Sequence, residues 1–174
     1  MTRRGTLAIA TFALLLSAGT ARAQGSGFSL AVGAALPMGA LSSSAGTGLE
    51  IAGLIRTDPM IGPLALRIEI GYDHFASKGG NGGTTISTEA VSLVNDFNST
   101  FYWAAGAGYY QSQIKTSISG HNVTEQQQFL GVQAALGMNY PLFRWTGFVE
   151  VDGTRLFAPG LSIAYVPLRV GIRL

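Results

Sequence analysis

The sequence predicts an all-β protein, an eight-stranded antiparallel up-and-down transmembrane β-barrel. Three observations predict it. Residues 165–174 alternate without exception: Val166, Leu168, Val170, Ile172 and Leu174 are apolar, with Pro167, Arg169, Gly171 and Arg173 between them. A period of two marks a strand with unlike faces. The charged residues of the better-patterned stretches share a face with glycine and alanine, and the opposite face is aliphatic. Finally, the chain has 24 glycines, no cysteine and only 11% charged residues. Glycine inside a helix costs ~1 kcal/mol each, so helices are disfavoured, and without cysteine no disulfide can staple the fold.

Residues 1–23 read as a Sec-type signal peptide, with the barrel in 24–174. Arg3 and Arg4 form a basic head, an apolar core follows, and Ala21-Arg22-Ala23 is a small-x-small cleavage site before Gln24. The apolar core is too short for the ~20 residues of a spanning helix. Cleavage would remove Arg3, Arg4 and Arg22. The 11 basic residues would fall to 8 against 9 acidic ones, a net of −1. The basic character of the whole chain therefore resides in the leader, and no nucleic-acid partner is expected.

The strands follow in order. Residues 28–36 place Phe28, Leu30, Val32, Ala34 and Leu36 on one face, and Pro37 is expected to end the run. Residues 47–56 set Leu49, Ile51 and Ile55 against Glu50, Ala52 and Arg56, with Leu54 out of pattern. Residues 64–73 alternate Leu64, Leu66, Ile68, Ile70 and Tyr72 with Ala65, Arg67, Glu69, Gly71 and Asp73. Residues 88–95 are the weakest strand. Residues 101–110 and 128–140 alternate large with small, and 147–155 set Val149 and Val151 against Phe148, Glu150, Asp152 and Thr154. Polar loops are expected at 38–46, 74–85 and 111–127, and short turns between the other strands. Long connections at one end and short ones at the other suit a membrane barrel.

The charged face decides between lipid and water. A soluble barrel fills its interior with apolar side chains. Here Glu50, Arg56, Arg67, Glu69, Asp73, Glu150, Asp152, Arg169 and Arg173 would lie inside with small residues, and the aliphatic face outside, almost free of charge. Such an exterior is intolerable in water and required in lipid. Aromatic girdles are expected from Phe97, Phe101, Trp103, Tyr140, Phe143 and Trp145 near the short turns. Tyr72, Tyr109, Tyr110, Phe157 and Tyr165 would form the other near the long loops.

The stretches Trp103-Ala-Ala-Gly-Ala-Gly-Tyr-Tyr110, Phe148-Val-Glu-Val151 and Val166-Pro-Leu-Arg-Val-Gly-Ile-Arg-Leu174 give the chain its family likeness. It resembles the OmpA-like eight-stranded outer-membrane barrels, in their short barrel-only form. The resemblance implies a bacterial outer-membrane location and contact with outer-membrane lipid and lipopolysaccharide. It also implies insertion by the barrel-assembly machinery, with Val170, Ile172 and Leu174 in the C-terminal assembly signal. That signal usually ends in Phe, and this chain ends in Leu174. A monomer is expected, without the peptidoglycan-binding domain of longer members.

The candidate site is a lumen network of Glu50, Arg67, Glu69, Glu150, Asp152, Arg169 and Arg173. Buried charges must pair, so mutual neutralisation inside a filled barrel is expected; a narrow ion or small-solute pore is the alternative. A lipid A-modifying enzyme is a remote alternative. It would need a nucleophile and base, and only His74 with Ser77, or His121 with Ser117 or Ser119, lie near each other in sequence. No catalytic, cofactor or metal site is expected. Function is therefore read as structural or as surface interaction.

Overall fold

The computed structural model describes residues 27–79, 82–118, 121–158 and 161–174. The expected cleavage site at Ala21, Ala23 and Gln24 lies outside them. Eight strands run antiparallel in chain order: β1 (Gly27–Gly39), β2 (Ala45–Ile61), β3 (Leu64–Ser77), β4 (Gly82–Asp96), β5 (Phe101–Ile118), β6 (His121–Leu142), β7 (Trp145–Ala158) and β8 (Leu161–Arg173). A one-turn helix, α1 (Leu41–Ser44), joins β1 to β2. Each strand pairs with the next, and β1 pairs with β8 from Ser29 opposite Arg173 to Gly39 opposite Ile163, closing the barrel. Closure leaves the spanning backbone hydrogen-bonded within the sheet, as lipid demands. No helix among the described residues is long and apolar enough to cross a membrane. We call the end with α1 and the long hairpins the upper end. The lower end carries the turns at 62–63, 97–100 and 143–144, with Gly27 and Leu174.

The molecule is inside out. Leu49 and Leu136 are 73% and 65% exposed, whereas Arg169 and Glu150 are 1% exposed. The aliphatic rows face out and the charged rows of β2, β3, β7 and β8 face in, because neighbouring side chains leave opposite faces of a pleated strand.

Several strands run past their expected ends. Pro37 does not stop β1; it pairs with Tyr165 of β8. Pro59 lies between two register shifts of β2 against β3 rather than in a turn, since a residue without an N–H is tolerated at bulges. The loops expected at 74–85 and 111–127 are mostly strand: β3 and β4 pair up to Ala76 and Gly83, and β5 and β6 up to Ile118 and His121. Outside the lipid belt both strand faces can be polar, so apolar alternation fades while pairing continues. Within β8, Pro167 donates no hydrogen bond, and the pairing with β7 lapses between Val151 opposite Leu168 and Thr154 opposite Tyr165.

The exterior also departs from expectation. Glu89 and Arg155 both point outward. Arg155 lies opposite Val132 and Ala164 near the upper end of β7, where a long guanidinium can reach the headgroup level. On β4 the outward residues above Glu89 are Ser87, Thr85 and Gly83, so the apolar belt ends there. Phe97, Phe101, Phe143 and Trp145 are exposed at the lower end, and Tyr72, Tyr109 and Phe157 toward the upper. Tyr110 and Tyr165 are not in a girdle; both are buried in the lumen, one step out of phase with the outward rows.

Glycines let adjacent strands carry bulky lumen residues. A methyl at Gly106 would run into the Val91 carbonyl oxygen and the Ser92 side chain on β4. Backbone cannot yield as a side-chain tip can. Gly106→Ala is expected to cost ~1–3 kcal/mol as overpacking, read as a lower urea midpoint for loss of the compact, heat-modifiable gel form. An unchanged midpoint would contradict this packing.

Candidate functional site

The lumen is layered. Its upper end is closed by an apolar plug of Phe75, Ile86, Tyr110, Phe129, Leu156 and Tyr165, with Leu41 of α1 packed on it. Phe75 and Tyr165 meet edge to face, their ring centroids 5.6 Å apart. This plug was not anticipated; its signal is inward parity, since Phe75, Ile86, Phe129 and Leu156 all share a face with the lumen charges of their strands or of the strands they pair with.

Below the plug, Arg169 forms a hub. Nε donates to Glu150 Oε1 at 2.8 Å; Nη1 donates to Glu50 Oε1 at 3.0 Å and Glu69 Oε1 at 2.7 Å; Nη2 donates to Glu69 Oε2 at 3.2 Å and Asp152 Oδ2 at 3.4 Å. All five guanidinium N–H groups thus have an acceptor. Register explains the position. Glu150 lies opposite Arg169 on β7 and Gly33 opposite it on β1. A side chain at Gly33 would collide with Leu168 and Arg169, so glycine opens the way across β1 to Glu50, which faces Gly33 from β2.

Neutral groups complete the network. Arg67 Nη1 donates to Glu150 Oε2 at 2.6 Å, and Arg67 Nη2 is 3.5 Å from Glu69 Oε2. Gln133 Nε2 donates to Glu69 Oε2 at 3.2 Å and Ser92 Oγ at 3.0 Å, and Tyr110 Oη donates to Gln133 Oε1 at 2.9 Å. Thr154 Oγ1 donates to Asp152 Oδ1 at 3.1 Å. Gln133, Ser92 and Tyr110 were not anticipated as partners. An inward glutamine among small and apolar residues on β6 was the available clue.

The charges do not cancel locally. Glu50, Glu69, Glu150 and Asp152 share Arg67 and Arg169, and buried Asp73 has no cation within 4.0 Å among the described residues. Glu50 and Asp73 are directly opposite on β2 and β3, and Glu50 Oε2 and Asp73 Oδ1 have no hydrogen-bond partner in the protein. Like charges facing each other across a strand pair destabilise it. Asp73→Asn, which keeps the shape, is therefore expected to raise stability by up to ~1 kcal/mol, seen as a higher urea midpoint. A clear loss would assign Asp73 a counter-charge.

Near the lower end Arg56 makes a two-pronged bond to Asp96, Nη1 to Oδ1 at 3.0 Å and Nη2 to Oδ2 at 2.5 Å. Arg173, expected in the ion-pair network, has no carboxylate within 4.0 Å among the described residues. It is at the end of β8, four residues below Arg169, too low to reach the hub's carboxylates.

His74 and Ser77 do not pair. His74 points outward, and its Nδ1 is 3.2 Å from Thr85 Oγ1 rather than on Ser77. The side chains of His121 and Ser117, and all of Ser119, lie outside the described residues. Among the described residues no group of three or more His, Cys, Asp or Glu could hold a metal. Val170 and Leu174 of the expected assembly signal face out and are exposed, with Ile172 half-buried in the same row.

The same architecture occurs in solved structures. The crystal structure of Ail, the attachment invasion locus protein of Yersinia pestis, superposes with a TM-score of 0.64 at 12% identity, covering 86% of this chain and 98% of that one. The fold is that of the eight-stranded outer-membrane β-barrels. Neisserial surface protein A matches with a TM-score of 0.61 at 14% identity over 87% of this chain and 97% of that one. The N-terminal β-barrel domain of Pseudomonas aeruginosa OprF matches with a TM-score of 0.54 at 15% identity, over 87% and 100%. No protein-family model and no curated protein sequence matches the chain. At these identities the barrel is shared and the activities are not carried over.

Proposed function

We propose that this outer-membrane barrel has a sealed lumen, does no catalysis, and serves a structural or surface-interaction role through its upper hairpins. One observation carries the interaction reading. β6 pairs with β7 only from Leu130 downward, while its pairing with β5 continues up to His121. Among the described residues, 121–129 of β6 therefore have no partner on the β7 side and offer an edge above the barrel. A free edge has N–H and C=O groups ready to accept an extended strand. Gln126, Gln127 and Gln128 are exposed on it, which keeps it hydrophilic. Ail is an attachment invasion locus protein and the Neisserial match a surface protein; both names support a surface role for this fold.

The sealed lumen is supported by the apolar plug and the hub. The partners that follow are outer-membrane lipid and lipopolysaccharide around the belt and the barrel-assembly machinery during insertion. We take the chain to be a monomer exported by its Sec signal. The test has two parts. In planar bilayers the purified barrel is expected to be electrically silent. Stable openings that vanish when Arg169 or Glu150 is altered would replace this reading with the narrow pore. Joining Gln113 to Gln126 by Asn-Gly, in place of residues 114–125, should leave the heat-modifiable barrel intact. It should abolish any gain in adhesion of cells displaying the full hairpin to immobilised extracellular proteins. Equal adhesion by both forms would remove the hairpin from the function.

A further inference from the structure

We propose that the lower lumen holds a halide-sized anion between Arg56, Arg67 and Arg173. A cavity of about 20 Å³ lies there, lined by these three guanidiniums together with Ser29, Tyr102 and the apolar wall of Leu54. Three strands bring the arginines together: Arg56 and Arg67 are directly opposite on β2 and β3, and Arg173 pairs with Ser29 on β1, which itself faces Leu54 on β2. Arg56 and Arg67 are 7% and 5% exposed. Four of their nitrogens, Arg56 Nε, Arg67 Nε, Arg67 Nη2 and Arg173 Nε, are buried with no hydrogen-bond acceptor in the protein.

The local charges point the same way. Asp96 is taken up by Arg56. Glu150 and Glu69 are each shared between Arg67 and Arg169. Arg173 has no carboxylate within ion-pair distance among the described residues. The surplus acids Glu50 and Asp73 lie above, next to the hub. Among the described residues, Asp96 is therefore the one carboxylate paired with these three cations that is not shared with Arg169. A buried unpaired charge costs several kcal/mol, and an anion removes that cost. A water molecule would fit, since a cavity of ~10–15 Å³ suffices. It accepts only two hydrogen bonds, however, and carries no charge against the surplus. Phosphate and sulfate are too large. Chloride or bromide matches the size and the sign, and every polar group of the lining can donate to it.

The test is halide-dependent stability. Urea unfolding of the barrel in detergent micelles is followed in sodium chloride, bromide and gluconate at matched ionic strength. The midpoint is expected to be higher in chloride and bromide than in gluconate. Arg173→Gln should abolish that difference, and Lys115→Gln, an outward cation on the upper hairpin, should retain it. If Arg173→Gln fails to fold, crystals of the unaltered protein grown in bromide should show an anomalous peak between the three arginines. Equal midpoints in all three salts, a halide effect that survives Arg173→Gln, or no bromide peak there would each overturn the proposal.

Discussion

Arg169→Ala is expected to be the most damaging single change inside the barrel. It removes the shared partner of Glu50, Glu69, Glu150 and Asp152, all buried. Breaking one buried ion pair by deleting one partner costs ~3–5 kcal/mol, because the other charge stays behind without compensation. Here four carboxylates lose the same cation, and only Arg67 remains within reach of Glu150 and Glu69. Loss of the compact gel form, or a large drop in the urea midpoint in lipid vesicles, is the expected result. Trp103 and Trp145 supply the fluorescence signal. Arg169→Lys should recover only part of the loss, because an ammonium has three donors on one point and cannot serve four carboxylates spread over β2, β3 and β7. Arg169→Met combined with Glu50→Gln and Asp152→Asn should recover more than Arg169→Met alone, since among the described residues these two carboxylates have no other cation within 4.0 Å. An unfolding free energy within ~0.5 kcal/mol of the unaltered protein for Arg169→Ala would mean the hub contributes nothing to stability.

Leu168→Arg tests the other half of the arrangement. Leu168 is next to the hub in sequence and points the opposite way, half-way along β8 and exposed. An arginine on the lipid face at the midplane costs ~2–4 kcal/mol, falling to ~0–1 near the interfaces. Leu168→Arg is therefore expected to lower stability in bilayers by the larger amount. Thr85→Arg, on the polar upper part of β4, should be almost silent. Both are measured by urea unfolding in vesicles of matched lipid. If the two substitutions cost the same, the belt is not where the outward row of Val166, Leu168 and Val170 places it. Together with the hub variant, this separates inward from outward by one residue of sequence.

The parity of the strands was legible because burial on one side and lipid on the other leave opposite demands on successive residues. Residues 165–174 declare it most clearly, and Arg169 was marked as inward by that alone. The strand ends were less legible. In β5 and β6 the alternation of large and small residues stops near Tyr110 and Gln128, although pairing runs on to Ile118 and His121. Water accepts polar residues on both faces, so the sequence has no reason to alternate there. Nearness to the loops suggests a girdle for Tyr110 and Tyr165, yet both are buried in the lumen. Their parity with Gly108 and with Arg169 carried the correct answer. Glu89 and Arg155 show the converse: parity put them outside, and only their height makes that tolerable.

By itself, the sequence determined the number of strands, which face of each meets lipid, and that ionised side chains fill the interior. A two-residue period is a local property, so it is written locally. Which charges meet was decided only by the tertiary structure. Strand pairing links Arg169 through Gly33 and Glu50 to Asp73, yet the acid on β3 that reaches Arg169 is Glu69, four residues away. Strands tilted in a closed barrel carry a row of paired residues up or down as it circles the axis. Height inside the lumen therefore depends on the stagger of the whole ring, which no single strand encodes. The same stagger leaves Arg173 below the hub and gathers it with Arg56 and Arg67 around one small cavity.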